Sequence, residues 1–311
     1  WRHLSEVFLF ADAAQNKWRS FVFTQVLVGA IAIGSIYGLV ALGYSLIYTA
    51  SGLMSFVQGE LLMLGSFMGL TFYKYLKIPF YFALPLTMGC LFLIGVIIER
   101  YIIRRLQKAK TNLIFIVVAT IALSIILKNF AMLAWGSNVF QFPPIFSVSL
   151  LKLGKVRIQP ESIMAIVIAL LVMIILHLFM TKTRLGTSMR AAAQDPIAAK
   201  TMSINVNRTT ALTWGIASML TGVGGILIGP IYGVSAEMGT LIGTKGFAGA
   251  VIGGYGNMYG AIVGSLLLGI IETFMAAYVS SMYKDFVSFF TLIIFLIFIP
   301  RGLFKGKVYG D

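Results

Sequence analysis

Charge is what this sequence has least of. Only 11% of its 311 residues are Asp, Glu, Lys or Arg, and just ten are acidic. A water-soluble domain carries roughly 25% charged residues to cover its surface. A chain with less than half that density cannot face water on all sides, so lipid must replace the missing polar surface. Cysteine is nearly absent too. Cys90 stands alone in an apolar run, which excludes an internal disulfide and a cysteine-held metal and leaves it a small buried hydrophobe. No Gly-x-x-x-x-Gly-Lys-Ser/Thr loop occurs, so the chain lacks the phosphate cradle needed to hydrolyse ATP itself. No acid/base pair, metal-ligand cluster or nucleophile arrangement emerges, and no catalytic, cofactor-binding or metal residue is assigned.

What is present is apolar: 59% hydrophobic residues, 32 Gly and 15 Met, with a mean hydropathy of +0.94. Membrane helices need roughly 20 mostly apolar residues. Segments 24–48, 52–75, 80–99, 112–135, 161–181, 210–232, 258–279 and 285–300 meet that need, and a Gly-rich stretch, 236–254, is a weaker ninth. The expectation is an all-α polytopic transmembrane helical bundle of about 8–9 membrane segments with broken helices. The net charge of +14 does not signal nucleic-acid binding, because the basic residues sit in short clusters between apolar runs. Arg100, Arg104, Arg105, Lys108 and Lys110 form one cluster, and Lys182, Arg184, Arg190, Lys200 and Arg208 another. Arg301, Lys305 and Lys307 form a third. Placing all three in the cytoplasm puts the N-terminus outside and the C-terminus inside, and requires 236–254 to cross; a re-entrant dip there is the rival topology.

The chain opens on Trp1 rather than Met, so its native start is expected upstream. Residues 1–20 carry Arg2, Glu6, Asp12, Lys17 and Arg19 and lack the apolar core of a signal peptide. They read as an amphipathic segment at the membrane surface, leaving 21–311 as one transmembrane domain.

Polar groups inside apolar runs are expensive, at about 2.5 kcal/mol or more for a central charge. Glu272 reads as a cross-helix pair, Lys128 as a residue snorkelling outward and His177 as interfacial. Gln58 and Glu60 could line an aqueous path or brace a helix junction. Small residues interrupt helices at Thr49-Ala50-Ser51-Gly52 and at Gly253-Gly254-Tyr255-Gly256-Asn257. Such breaks mark a transport pathway or plain tight turns. Ser51, Gln58, Glu60, Gly253, Gly254 and Asn257 are the pathway candidates.

The polar loop 182–209 contains an Ala-rich stretch and then Asp195-Pro196, a cap followed by proline at the first helical position. Two short helices with a sharp joint are expected, the second exposing Ile197, Met202 and Ile204 beside Ala198 and Ala199. An apolar face projecting from the membrane calls for a partner, or else packs on the chain's own helix ends.

Gly43-Tyr44-Ser45-Leu46 and Phe56-Val57-Gln58-Gly59-Glu60-Leu61-Leu62-Met63-Leu64-Gly65 resemble the first block of the branched-chain amino acid ABC-importer permeases of the LivH type. Gly186, Arg190, Ala191, Asp195, Ala198 and Ile204 are similar to that family's ATPase-coupling segment, in which Pro196 and Ala199 also fall. Lys245-Gly246-Phe247, Gly253-Gly254-Tyr255-Gly256-Asn257, Tyr283-Lys284-Asp285 and Pro300-Arg301-Gly302 extend the likeness to the end of the chain. Val57-Gln58 replaces the family's Ala-His, and Ser203 its Gly. The resemblance implies a multi-pass bacterial inner-membrane permease, not an enzyme, that moves branched-chain amino acids inward by alternating access. Its implied partners are a second, non-identical permease, two ATPase subunits carrying ATP-Mg, and an extracytoplasmic substrate-binding protein. Related permeases carry urea, amides or other small solutes, and an ion-coupled transporter acting alone is the competing class.

Overall fold

The computed structural model describes residues 2–109, 113–146, 150–153 and 156–304; the side chains of 2–21, 113, 151–153, 156 and 157 lie outside the described residues. So do Lys110, Lys305 and Lys307, and the side chains that would make 1–20 amphipathic. Helix α1 (Arg2–Ser51) is followed by an irregular stretch and α2 (Gln58–Leu70), which runs on as a π-helical turn, Thr71–Tyr75. Helix α3 (Phe80–Ile98) passes through a second π-helical turn, Glu99–Ile103, into α4 (Arg104–Lys108). After α5 (Leu113–Trp135) comes a small antiparallel ribbon of β1 (Leu151–Leu153) and β2 (Val156–Ile158). The remaining helices are α6 (Pro160–Lys182), α7 (Arg184–Gln194), α8 (Pro196–Thr201), α9 (Val206–Tyr232), α10 (Met238–Gly253), α11 (Met258–Tyr278) and α12 (Lys284–Phe298).

Among the described residues seven helices are long and apolar enough to cross a membrane, fewer than the eight or nine expected. The difference lies in 52–75 and 236–254, which form the shorter α2 and α10. Gly52 takes φ +67° and ends α1, and the chain then runs irregularly to Val57 before α2 starts. Helix α10 has 16 residues, about 24 Å of rise, against a hydrocarbon core of about 30 Å.

Contacts sort the helix ends into two sets. At one end, Arg104 donates to the Asn207 carbonyl, Thr49 to that of Gly256, and Asn257 to that of Phe304. At the other, Tyr73 donates to the Pro144 carbonyl, Trp135 to Thr71, and Phe140 bridges Val234. Helices α9 and α11 both start at the first end, so the chain between them changes ends. The segment 236–254 therefore does not dip and return.

Helices α2 and α9 form the centre, with Phe67, Leu62 and Trp214 wholly buried. Helices α5 and α12 instead present Leu133, Phe298 and Ile297 outward, 88%, 77% and 68% exposed. Large apolar side chains displayed this densely suit lipid and not water. The central helices approach backbone to backbone, as membrane helices do where small residues permit. A Cβ on Gly225 would fall on the Leu62 carbonyl, and one on Gly253 on the Gly260 carbonyl.

Local chemistry shapes the polar elbow at the first end. Thr183 accepts from the Gly186 N–H at 3.0 Å and caps α7. The Asp195 carboxylate accepts from the N–H groups of Ile197 and Ala198, at 2.8 and 3.0 Å, and caps α8. Ser203 then turns the chain with φ +61°, a conformation costing a side-chain-bearing residue roughly 1–2 kcal/mol.

Three substitutions test this packing. Gly225→Leu should lower thermal stability in detergent by about 3 kcal/mol or more, through backbone separation. Gly89→Ala should be neutral or slightly stabilising, since nothing lies within 4 Å of that position. Ser203→Gly should raise the melting temperature, by up to about 1 kcal/mol of stability, through relief of the left-handed backbone.

Candidate functional site

Polar side chains line a seam between α5 and α10. On α5, Thr120, Ser124 and Lys128 recur every fourth residue and share one face. On α10 and just before it, Glu237, Thr240 and Thr244 do the same at spacings of three and four. Glu60, in the first turn of α2, reaches into the seam from within. Its Oε1 accepts from Ser124 at 3.3 Å and from Thr240 at 3.2 Å, while its Oε2 is buried with no hydrogen-bond partner. Gly239 makes room for that oxygen, since a Cβ there would stand 2.7 Å from it. Farther along, Lys128 pairs with Glu237 at 2.7 Å. Lys128, read from the sequence as snorkelling outward, therefore reaches an exposed partner carboxylate.

The seam is partly open. Glu237 and Thr240 are exposed and Ser124 and Thr244 half-buried, while the flanking α5 residues Ile121, Ile125 and Ile126 face outward as apolar surface. A carboxylate and hydroxyls set within an apolar face are costly against hydrocarbon. They suit a water-filled path or a second protein surface. Phe56, Phe247, Tyr44 and Tyr255 cluster at the seam's inner end, their rings 5.5–5.8 Å apart where they meet.

The other pathway candidates lie elsewhere. Gln58 is wholly buried and points to α9, where its Oε1 accepts from Thr221 at 2.7 Å. Ser51 donates to the Ile47 carbonyl at the end of α1. Gly253 accepts from the Phe304 N–H, Gly254 has φ +112°, and Asn257 caps α11 while donating to the Phe304 carbonyl. These three bind the chain after α12 to the α10–α11 joint. Of the six candidates, Glu60 alone sits in the seam.

Glu272 pairs across helices as expected. Lys245 lies between Glu272, at 2.5 Å, and Asp285, at 2.6 Å, while Tyr37 and Ser288 donate to the second Glu272 oxygen. The cluster joins α1, α10, α11 and α12 and leaves both Glu272 oxygens satisfied. His177 meets the Tyr259 hydroxyl at 3.0 Å at the end of the bundle that carries the elbow.

The elbow residues divide by direction. Gly186 packs on the Phe179–Met180 backbone, and Met189, Ala192, Ala193 and Ala199 are buried with it. Ala199 thus faces the bundle and not outward as expected. Ala191 is half-buried, while Arg190, Asp195, Pro196 and Ala198 are exposed beside Ile197 and Met202, both 77% exposed. Among the described residues no three His, Cys, Asp or Glu side chains gather to hold a metal.

Comparison with known proteins fits this architecture. Residues 26–296 match the family described as branched-chain amino acid transport system / permease component. The high-affinity branched-chain amino acid transport system permease protein BraD of Pseudomonas aeruginosa is 34% identical over 294 residues, covering 90% of this chain and 95% of that protein. LivH of Escherichia coli K12, named for the same system, is 32% identical over 299 residues with the same coverage. The probable LivH of Methanocaldococcus jannaschii is 28% identical over 292 residues, covering 89% and 91%. A match over most of its length and at this identity shows that the chain belongs to the branched-chain amino acid transport system permease family.

Proposed function

We propose that this chain is a transmembrane permease subunit of an ATP-binding cassette importer that admits branched-chain amino acids by alternating access. The observation that carries the reading is the elbow. Two short capped helices stand at the end of the bundle where α6 stops and α9 begins, anchored by buried Gly186, Met189 and Ala199 and presenting Ile197, Ala198 and Met202 outward. A chain without a nucleotide cradle of its own, carrying a rigid apolar lever at its helix ends, is built to be pushed by a motor. The rest of the assembly is what membership of the permease family implies. Two ATPase subunits carrying ATP-Mg would dock on 182–209, a second and non-identical permease would cover the seam, and an external binding protein would deliver the solute. The elbow end would be cytoplasmic, since Arg100, Arg104, Arg105, Lys182, Arg184, Arg190 and Arg208 all gather there. The C-terminus would then be inside and the N-terminus outside, with 21–311 acting as one permease domain.

The seam supplies the path. Glu60, Ser124 and Thr240 would offer a carboxylate and hydroxyls to the solute's ammonium group, and Phe56, Phe247 and Tyr255 apolar contact to its side chain. The buried, unpartnered Glu60 oxygen also suits an ion-coupled transporter acting alone.

Two substitutions separate these readings. Ala198→Trp should leave the transporter folded and assembled but cut ATP-driven uptake at least about tenfold through loss of the docking fit; unchanged coupling of ATP hydrolysis to uptake would count against the lever. Glu60→Gln, assayed in vesicles with and without a proton gradient, should slow uptake by about tenfold while leaving it ATP-driven and insensitive to collapse of the gradient. Uptake that instead needs the gradient and no ATPase would establish the ion-coupled class.

A further inference from the structure

A cavity of about 440 Å³ opens where α3 and its π-helical turn separate from the start of α9. Its two walls share one gradient. Along α3 and its extension, Phe92, Val96, Arg100 and Arg104 follow at four-residue spacing, so one face passes from aromatic and aliphatic to doubly cationic within about 18 Å. On α9 the order is the same in space: Arg208 lies at the helix start, and Leu212 one turn deeper. Deeper still, Gly95 lies against Ser218 and Trp214 and closes the two helices into the groove's floor.

The guanidiniums are not spent equally. Arg104 is held by Glu99, at 3.0 Å from its Nε, and by the Asn207 carbonyl. Glu99 is buried, and Arg104 neutralises it. Among the described residues the guanidiniums of Arg100 and Arg208 make no hydrogen bond or ion pair, and both residues are exposed, although the charge of Arg100 is also felt by Glu99. The groove therefore keeps two guanidiniums without a hydrogen-bonded partner at its mouth, above an apolar interior. Both sit at the end of apolar helices, where a lipid headgroup lies.

We propose that this groove is a binding site for an anionic phospholipid, its phosphate held between Arg100 and Arg208 and one acyl chain lying along Phe92, Val96 and Leu212. Charge complementarity selects the headgroup, since a zwitterionic lipid brings its own cation to the same place. The apolar floor selects a lipid over a free phosphate, which would gain nothing from it. The site is separate from the seam; Arg208 closes the 182–209 segment on which the ATPase subunits are proposed to dock, so the inference requires the chain's residence in a membrane and a docked ATPase that leaves the groove open.

The test is lipid retention by the full-length protein, extracted in mild detergent with the subunits that accompany it and exchanged against mixed phosphatidylglycerol and phosphatidylcholine. Native mass spectrometry reads the lipid that stays bound. Phosphatidylglycerol should be retained in preference to phosphatidylcholine. Arg100→Gln and Arg208→Gln should each weaken that preference about fivefold, and the double variant about 25-fold. Arg100→Lys with Arg208→Lys should keep most of it, which separates lost charge from lost folding. Val96→Trp should reduce retention with both arginines intact, by filling the acyl wall. Equal retention of the two lipids by the wild-type protein would overturn the proposal. So would an unaltered preference in the double glutamine variant, full displacement by inorganic phosphate, or loss of the lipid whenever ATPase subunits are bound, which would make the groove their contact.

Discussion

Backbone contact at the centre of the bundle is the constraint on which the rest depends. Helix α2 is enclosed by α9 and α10 with almost no side chain between them: Gly59 meets Gly239 and Gly243, Gly65 meets Gly222, and Gly225 meets Leu62. Lipid gives no hydrophobic reward for pushing helices together, so close van der Waals packing must hold them. Glycine permits the approach. That approach also fixes the place of the first turn of α2. Glu60 then falls between α5 and α10, and Gln58 against α9.

This placement links the seam to the elbow. Helix α10 forms one wall of the seam and ends at Gly253, whose carbonyl holds the Phe304 N–H at the elbow end. Helix α11 starts there too, beside His177 of α6, and α6 continues through Thr183 into α7. In the proposed reading, these packed helix ends are the route by which a push on α7 and α8 would reach the α10 wall. The Lys245–Glu272–Asp285 cluster holds the middle of α10 by tying it to α11 and α12. Removing one partner from such a buried group leaves an uncompensated charge, so the cluster ties α10 to its neighbours.

The elbow was legible in the sequence because its determinants are local. A carboxylate before a proline caps a helix through N–H groups two and three residues on, whatever the surroundings. The long apolar helices were legible for a similar reason, since length and hydropathy are properties of the segment alone. What could not be read were partners distant along the chain. Lys128 looks like a lone cation until α10 brings up Glu237, and Lys245 shows its role only beside Glu272. Ser124 and Thr240 were missed although a signal existed, the four-residue recurrence of Thr120, Ser124 and Lys128. Counting charges inside apolar runs passes over hydroxyls, which helices tolerate by bonding to their own carbonyls.

Gln58 and Glu60 show how a helix turns neighbours in sequence into separate functions. Two residues apart on an α-helix point about 200° apart around its axis, so the pair cannot line one path once α2 is helical. One must face inward and the other toward the seam. The inward place goes to the neutral amide, whose Oε1 accepts from Thr221 and which carries no net charge into the core, although its buried Nε2 has no hydrogen-bond partner among the described residues. The seam goes to the carboxylate, where Ser124 and Thr240 share one oxygen and the second keeps its acceptor capacity. Exchanging the two would bury a charge against α9 with a single hydroxyl for company and leave the seam without its anion. The order of these residues is therefore a consequence of which side of α2 faces α9 and which side faces the seam.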